Sequence, residues 1–275
     1  MTPEEKQIRN HINKVRQTIP SDLLQFFERV IADYTMLPIE RLVDLYFTVM
    51  QLRQRKVPGD FVEFGVWRGG ALGCMTLAAN QKPGSYFNLL NMNAKEKRET
   101  DLTNLVDWSV AISEKRRLFG FDTFEGHPEP LDWELDIHGT NQNKVFHEVM
   151  ERDGEWASVT MEDVQNNLSV LLGDYPEDMV KLVKGDASVT GPDFAKSSDN
   201  KGIALLRLDM DWYEPTIKCL DALGHHIPIG GVVILDDFGH HLGVQEAAEE
   251  YFSKTDREID VAKIDYSCVR IVFLS

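Results

Sequence analysis

The sequence predicts an α/β domain in which helices cover both faces of a mostly parallel sheet. Short apolar and β-branched runs alternate with helical stretches from Asp60 onward, and no internal repeat interrupts the alternation. The last two runs follow each other without a helix between them. The chain has 275 residues, of which 43% are hydrophobic, and this is enough for one large domain.

The first part of the chain is expected to be helical. In residues 21–55 apolar side chains recur at spacings of three and four, and Ser21 and Pro38 stand where helices commonly begin. We therefore expect residues 1–58 to form an N-terminal helical cap and residues 59–275 to form the main domain.

Seven apolar runs are predicted to be strands, and the last two are expected to form an antiparallel hairpin at the sheet edge. Two long stretches, residues 81–117 and 125–160, break the alternation. Loops of this length are often lids or binding elements, so the second stretch is a candidate lid over a site at the end of the second strand. The seven runs read DFVEFG, LFGFD, MVKLVKGD, IALLRLD, GGVVILDD, IDVAKID and CVRIVFL.

The charge and the cysteine content limit the kinds of partner, metal site and compartment that we expect for this protein. A formal net charge of −16 argues against nucleic acid or an acidic membrane surface as the main partner. Cys74, Cys219 and Cys268 lie far apart in apolar surroundings, so we expect core thiols in a reducing compartment and no zinc site. No stretch reads as a signal sequence or a membrane span. A cytoplasmic protein with a small-molecule substrate is expected.

The stretch VEFGVWRGGA joins a predicted strand to a predicted helix. Gly65, Gly69 and Gly70 allow a tight turn, and the helix that follows presents unpaired amides to a ligand. The dinucleotide fingerprint would need a glycine where Trp67 stands, and Glu63 would disfavour a pyrophosphate, so the pattern argues against NAD. An ordinary turn with a solvated Glu63 is the alternative.

Acidic residues follow the second and third predicted strands. Asp122 ends the second strand, where an acid commonly accepts hydrogen bonds from ribose hydroxyls. Asp186 follows the third strand, within reach of an adenine amino group in such a sheet. Any one of these acids alone is more often a turn or cap residue, but three acids at successive strand ends, Glu63, Asp122 and Asp186, are harder to explain as turn or cap residues.

Four aspartates follow the fourth and fifth strands and are expected to line one crevice. No compensating Lys or Arg is expected nearby, so the carboxylates would repel one another unless a hard divalent cation neutralises them. The alternative is that Asp211 caps the helix near Glu214 and Asp237 caps a loop, which leaves Asp209 and Asp236 as possible ligands.

Two pairs of histidines allow different interpretations. His240 and His241 follow the fifth strand and could orient substrate or carry a proton, although a surface position is equally compatible with the sequence. His225 and His226 fall late in a predicted helix, where a cationic side chain suits the helix end, and we expect them to be structural.

Four motifs together resemble those of the macrocin O-methyltransferase family, class I S-adenosylmethionine enzymes that methylate sugar hydroxyls of macrolide and aminocoumarin natural products. The motifs are FVEFGVWRGGA, GFDTFEGHP, LRLDMDWYEPT and GGVVILDDFG. The resemblance extends from about Tyr34 to the end of the chain. Residues 88–116 and the stretch NQNKVFHEVMERDGEW depart from it. It implies a Rossmann-like class I methyltransferase fold with a seven-stranded sheet, and a homo-oligomer.

The resemblance also implies roles for individual residues. S-adenosylmethionine is expected over the first two strand ends, and Mg²⁺ or another hard divalent cation is expected to chelate the hydroxyls of the acceptor. Asp209 looks like the base, and Asp211, Asp236 and Asp237 look like the metal ligands, with Asp209 as a possible further ligand. The cofactor-binding set comprises Thr35, Met36, Glu63, Gly65, Arg68, Gly69, Gly70, Asp122, Asp186, Ala187 and Asp209.

Two other functions stay open. Asp209 and Asp211 also match the metal-binding DxD pair of a nucleotide-sugar glycosyltransferase, although the glycine-rich turn after Glu63 speaks against it. A non-catalytic S-adenosylmethionine sensor is the third interpretation. The expected lack of compensating cations argues against the sensor, because unpaired charge in a crevice is costly.

Overall fold

A computed structural model of the chain describes residue 27 and residues 33–80, 108–114 and 116–275. Within these ranges seven strands form a single sheet, as the sequence predicts. The strands are β1 (Asp60–Phe64), β2 (Leu118–Asp122), β3 (Val180–Lys184), β4 (Ile203–Leu208), β5 (Val232–Leu235), β6 (Ile259–Lys263) and β7 (Val269–Phe273).

The order of strands in the sheet is β3-β2-β1-β4-β5-β7-β6. Neighbouring strands from β3 to β5 pair in parallel, whereas β7 runs antiparallel to both β5 and β6. The predicted C-terminal hairpin is therefore confirmed. The order reverses between β1 and β4, and ligands bind at such a reversal in open α/β sheets, outside the carboxyl ends of the strands.

Helices cover both faces of the sheet. Alternate residues of each strand point to opposite faces, so Phe61 belongs to one core cluster and Val62 to the other. The helices are α1 (Ile39–Gln54), α2 (Gly70–Ala79), α3 (Trp108–Glu114), α4 (Gln142–Asp153), α5 (Met161–Leu172), α6 (Ala187–Lys196), α7 (Tyr213–Leu223) and α8 (Leu242–Ser253). The first cluster includes apolar residues of α1, α2 and α5, and the second includes those of α6, α7 and α8.

The N-terminal helical prediction is confirmed where the structure describes it. Helix α1 begins directly after Pro38 and packs against α2. Most of residues 1–32 and residues 81–107 lie outside the described part of the chain, so the predicted boundary between residues 58 and 59 stays a prediction. None of the described helices is long and apolar enough to span a membrane.

The structure also describes the three cysteines, the first histidine pair and the candidate lid. All three cysteines are buried free thiols, as expected. His225 and His226 lie in a short 3₁₀ helix that follows α7, and their rings are 4.0 Å apart. The candidate lid, residues 125–160, contains α4 and thus has regular structure of its own.

The turn after β1 depends on a close approach between two backbones. Gly65 has a φ of +84°, and a Cβ atom there would lie 1.8 Å from the backbone oxygen of Asp209. Only glycine permits this contact, because any side chain would force the two loops apart. The turn after β1 and the loop after β4 are therefore held side by side.

We expect Gly65→Ala to destabilise the fold far more than Gly154→Ala. Gly154 has a similar φ of +78°, but a Cβ atom there would meet no atom of the described residues within 4 Å. Backbone strain alone predicts a loss of about 1 kcal/mol for Gly154→Ala. The added clash predicts a loss of at least about 3 kcal/mol for Gly65→Ala. Urea unfolding measures both losses, and equal losses would contradict the proposed contact.

Candidate active site

A cavity of about 480 Å³ lies at the carboxyl ends of β1, β2, β4 and β5. Residues 35–38, which precede α1, line it from another side. The structure thus brings most of the predicted site residues together, and Arg68, Gly69 and Gly70 are the members of the predicted set that do not line the cavity. The predicted residues that do are Thr35, Met36, Glu63, Gly65, Asp122, Asp186, Ala187, Asp209, Asp211, Asp236 and Asp237.

The glycine pair at the start of α2, Gly69 and Gly70, does not line the cavity. A Cβ atom on Gly70 would lie 2.4 Å from the backbone oxygen of Tyr34, so glycine lets the segment before α1 approach the start of α2. The exposed Arg68 places its guanidinium 4.9 Å from the ring centre of Trp67. A direct contact of Arg68, Gly69 or Gly70 with the cofactor stays a prediction.

Glu63 is fully buried, so the alternative of a solvated glutamate is wrong. Its Oε1 accepts a hydrogen bond of 2.7 Å from Nη1 of Arg207, whereas its Oε2 has no hydrogen-bond partner among the described residues. Burial raises the pKa of Glu63 to about 7, although Arg207 opposes the shift. A buried oxygen without a partner in a cavity wall is suited to receive a donor from a ligand, such as an ammonium group.

Asp122 holds the glycine-rich turn against the end of β2. Its Oδ2 accepts the backbone N–H groups of Val66 and Trp67 at 2.7 and 3.0 Å, and its Oδ1 accepts that of Phe124 at 2.8 Å. The carboxylate therefore fixes the cavity wall through three backbone donors. Its contact with a ribose stays a prediction.

Asp186 is the N-cap of α6. Its Oδ1 accepts the backbone N–H of Ser188 at 2.8 Å, which satisfies one of the free donors of the first helical turn. The ordinary capping interpretation is thus correct for this residue. Because Asp186 and Ala187 also line the cavity, the predicted adenine contact is geometrically compatible with capping.

The aspartates after β4 and β5 form two overlapping groups. Asp209, Asp236 and Asp237 offer oxygen atoms that lie within 4.8 Å of one another, and Asp211, Asp237 and His241 form a second such group. Among the described residues no group contains both Asp211 and Asp236, so the predicted trio of metal ligands is not assembled as one set. Burial raises the pKa of Asp209 and of Asp237, and the neighbouring aspartates add to the shift.

Asp211 does not cap α7, so the capping alternative is wrong. The N-cap is Trp212, and Asp211 has a φ of +65°, a conformation that costs a non-glycine residue about 1 kcal/mol or more and is concentrated at functional sites. Its Oδ2 lies 3.5 Å from Nε2 of His127 and 3.9 Å from Nε2 of His241. Burial, and then the charge of Asp209, raise the pKa of Asp211 to about 7.

Arg207 compensates the aspartates, so the expectation that they lack nearby cations is wrong. It lies on β4, is 2% exposed and stands opposite Glu63 in the strand register. Its Nη1 is 2.7 Å from Oε1 of Glu63 and 3.0 Å from Oδ2 of Asp209, and its Nη2 is 2.6 Å from Oδ1 of Asp236. The sequence contained a signal for the contact between Arg207 and Asp209, because residues two positions apart on a strand point to the same face.

A second arginine reaches the cluster from α1. Arg41 donates to Oδ2 of Asp236, and its Nε is 2.6 Å from Oδ2 of Asp265, which lies in the turn between β6 and β7. Residues 41 and 236 are 195 positions apart, so no local pattern could predict the pair. Asp236 therefore has one arginine on each carboxylate oxygen.

The segment after β2 lies against the site. His127 and Pro128 line the cavity, and the carbonyl oxygen of Pro128 accepts a 3.2 Å hydrogen bond from Nε1 of Trp212. The His127 ring also lies 5.4 Å from the ring of Trp156 and 5.7 Å from that of Trp212. The predicted lid segment thus forms part of the cavity wall, and its motion stays a prediction.

Glu134, in the same segment, is a site residue that the sequence analysis missed. It is 1% exposed, and its Oε1 accepts the backbone N–H of Tyr213 at 3.0 Å, so a carboxylate distant in sequence caps α7 next to Asp211. Burial raises the pKa of Glu134 to about 7. The candidate lid is therefore attached to the helix that follows the aspartate loop.

The family model for macrocin-O-methyltransferase (TylF) matches residues 6–85 and 108–272. The chain belongs to this family. It is therefore an S-adenosylmethionine-dependent O-methyltransferase, as the motifs predicted. The match begins at residue 6, so the first thirty residues carry more of the resemblance than expected. Its gap, residues 86–107, overlaps the stretch 88–116 that departed from the family pattern. Nothing in these matches favours a glycosyltransferase.

Two curated relatives are methyltransferases of Streptomyces. The chain is 27% identical over 232 residues to a demethyldecarbamoylnovobiocin O-methyltransferase of Streptomyces niveus, which covers 84% of this chain and 72% of the relative. It is 28% identical, with the same coverage, to a 4'-O-methyltransferase of Streptomyces olivaceus that acts on 8-demethyl-8-(2,3-dimethoxy-alpha-L-rhamnosyl)-tetracenomycin-C.

Solved structures agree on the fold. The O-methyltransferase NovP superposes with a TM-score of 0.62 at 25% identity, covering 88% of this chain and 83% of that chain. The calicheamicin methyltransferase CalS11 superposes with a TM-score of 0.55 at 21% identity, covering 99% of this chain and 93% of that chain. The seven-stranded methyltransferase fold is therefore confirmed.

Glu134→Gln should change the pH dependence of stability. The folded protein raises the pKa of Glu134 from 4.5 to about 7, so the folded state binds this proton more tightly than the unfolded state does. The free energy of unfolding therefore falls as the pH rises from about 4.5 through about 7. A glutamine cannot ionise, so the variant does not lose this stability. We expect similar stabilities near pH 4 and a gain for the variant on the order of 1–2 kcal/mol by about pH 8.

Chemical unfolding at a series of pH values measures this difference. The exposed Glu151 on α4 supplies a matched control, because Glu151→Gln removes a carboxylate that is not buried. The control should follow the wild-type pH curve. If Glu134→Gln follows it as well, burial of this carboxylate does not shift its pKa as described.

Proposed function

We propose that the protein transfers the methyl group of S-adenosylmethionine to a hydroxyl of a natural-product sugar, or of another acceptor with vicinal oxygens, with the help of a hard divalent cation such as Mg²⁺. The supporting observation is the cavity that joins two walls formed at the ends of different strands. One wall contains Glu63, Asp122 and Asp186, and the other contains the four aspartates after β4 and β5. A methyl donor and a hydroxyl acceptor need such adjacent subsites.

The chemistry of the aspartates fits a hard cation. The group of Asp209, Asp236 and Asp237 offers oxygen atoms alone, the ligands that Mg²⁺ prefers, whereas the second group includes an imidazole of His241. We therefore assign the metal to the all-oxygen group, which exchanges the roles expected for Asp209 and Asp211. A bound divalent cation would lower the pKa of an acceptor hydroxyl beside it.

Asp211 is then the proposed base. It makes no contact with an arginine among the described residues, whereas Asp209 is held by Arg207. Burial lowers the pKa of His127, and it lowers that of His241 to about 4, so both neighbouring imidazoles are neutral at pH 7. Among the described residues, no charged arginine or imidazole therefore competes with the proton that Asp211 would accept from the acceptor hydroxyl.

The acceptor class follows from the relatives. One of them acts on a rhamnosyl tetracenomycin and another on demethyldecarbamoylnovobiocin. His127 of the 125–160 segment lines the cavity and packs against the rings of Trp156 and Trp212, so it would form part of the wall beside the acceptor. A small molecule that carries a sugar with neighbouring oxygens is the acceptor that these features support best.

The assignment of Asp209 and Asp211 can be tested by metal binding. Asp209→Asn should weaken binding of Mn²⁺, a paramagnetic substitute for Mg²⁺, by about tenfold or more, because it removes a ligand. Asp211→Asn should leave Mn²⁺ affinity within about threefold of wild type but lower turnover by about 10²-fold or more, because it removes the base. Electron paramagnetic resonance measures free Mn²⁺. The opposite pattern would restore Asp209 as the base.

The proposed activity can be tested with the acceptors of the relatives as probes. Purified protein, S-adenosylmethionine and demethyldecarbamoylnovobiocin or the rhamnosyl tetracenomycin are incubated with Mg²⁺ or with EDTA. We expect S-adenosylhomocysteine and a product heavier by one methylene unit with Mg²⁺, and neither with EDTA. Methyl transfer that is unaffected by EDTA would refute the metal-dependent mechanism. Failure to bind S-adenosylhomocysteine in calorimetry would refute the cofactor assignment.

A further inference from the structure

Arg207 makes contacts on both sides of the cavity with a single side chain. Its Nη1 lies between Glu63 and Asp209, and its Nη2 binds Asp236. These three carboxylates come from the ends of β1, β4 and β5, which are adjacent in the sheet. The guanidinium therefore bridges the wall proposed for the cofactor and the wall proposed for the metal.

Arg207 contacts a possible ligand-binding group on each side of the cavity. One is the carboxylate of Glu63 on the cofactor side, and the other is the group of aspartates on the metal side. On the cofactor side, Oε1 of Glu63 is held by Arg207, while the buried Oε2 has no partner among the described residues. On the other side, Asp236 and Asp209 belong to the all-oxygen group with Asp237. The orientation of Oε2 and the spacing of the metal group thus depend on the same planar group.

We propose that Arg207 is a positioning residue for both subsites: it orients Glu63 toward the ammonium group of the cofactor and holds Asp209 and Asp236 at the spacing a divalent cation needs. The metal half of this inference rests on the proposed function. Arg207 does not itself contact the reacting atoms. Its role depends on the planar fork, which presents two donor nitrogens in fixed directions.

Lysine keeps the charge of arginine but loses this geometry. An ammonium is a compact point charge on a flexible chain and cannot reproduce the three fixed contacts of Arg207. Arg207→Lys therefore tests positioning while it leaves a cation between the carboxylates. Complete removal of the charge would leave buried carboxylates unpaired and would threaten folding.

Arg41 offers a matched control. It is also buried and also binds Asp236, but its other hydrogen bonds are to Asp265 and Ser267, and none of its hydrogen bonds or ion pairs with the described residues joins it to Glu63. Arg41→Lys makes the same chemical change at the same aspartate. It should therefore affect metal binding without affecting the cofactor side.

The experiment compares wild type, Arg207→Lys and Arg41→Lys by two independent titrations. Calorimetry with S-adenosylhomocysteine is done without metal, and Mn²⁺ binding is measured by electron paramagnetic resonance without cofactor. We expect Arg207→Lys to lose about tenfold or more in both affinities. Arg41→Lys should lose Mn²⁺ affinity and keep its S-adenosylhomocysteine affinity within about threefold, since this arginine does not touch Glu63.

The outcomes separate this inference from the proposed function. If wild type binds S-adenosylhomocysteine but no Mn²⁺, the metal-dependent function and this inference both fail. If wild type binds both ligands and Arg207→Lys loses only one affinity or neither, the inference alone fails. Loss of S-adenosylhomocysteine binding in Arg41→Lys to the same degree as in Arg207→Lys would also overturn it, because a general structural effect would then explain both variants.

A second measurement covers the case in which Arg207→Lys does not fold. Wild type and Arg41→Lys labelled with ¹⁵N-arginine are titrated with S-adenosylhomocysteine and with diamagnetic Mg²⁺. We expect one guanidinium signal, present in both proteins, to respond to each ligand. If every guanidinium signal responds to one ligand at most, the two subsites do not share an arginine and the inference is wrong.

Discussion

The site depends on a buried guanidinium that is shared by three carboxylates. Arg207 is almost fully buried at the centre of the sheet, where Glu63, Asp209 and Asp236 converge on it. A buried ion pair of this kind contributes little net stability, but loss of one partner leaves an uncompensated charge and costs about 3–5 kcal/mol. The arrangement is therefore best explained by the positions it imposes on the carboxylates at the strand ends.

The elements around this centre hold it in place from several directions. Arg41 ties α1 to the end of β5 and to the β6–β7 turn, so the N-terminal helical region contributes to the cavity as well as to the core. Glu134 caps α7 from the 125–160 segment, and Gly65 lets the turn after β1 contact the loop after β4. Sheet, N-terminal region and candidate lid thus meet at one cavity, which is the arrangement that methyl transfer to a bound acceptor requires.

The sequence was sufficient for the fold and for the acids that directly follow the strands. Apolar runs of strand length, separated by helical stretches, predicted all seven strands, and acids that directly follow parallel strands must meet at one edge of the sheet. The sequence was insufficient for partners that are close only in space. Arg41 and Glu134 lie far along the chain from the groups they bind, and Asp211, which belongs to only one of the two groups of possible metal ligands, has a left-handed φ that no local pattern predicts.

A crystal structure with S-adenosylhomocysteine and Mn²⁺, in which anomalous scattering locates the metal, would test the metal and cofactor assignments most directly. We predict a Mn²⁺ peak among the carboxylates of Asp209, Asp236 and Asp237, with the cofactor ammonium on Oε2 of Glu63 and with Arg207 in contact with both Glu63 and Asp236. A peak among Asp211, Asp237 and His241, or a cofactor bound away from Glu63, would contradict these assignments.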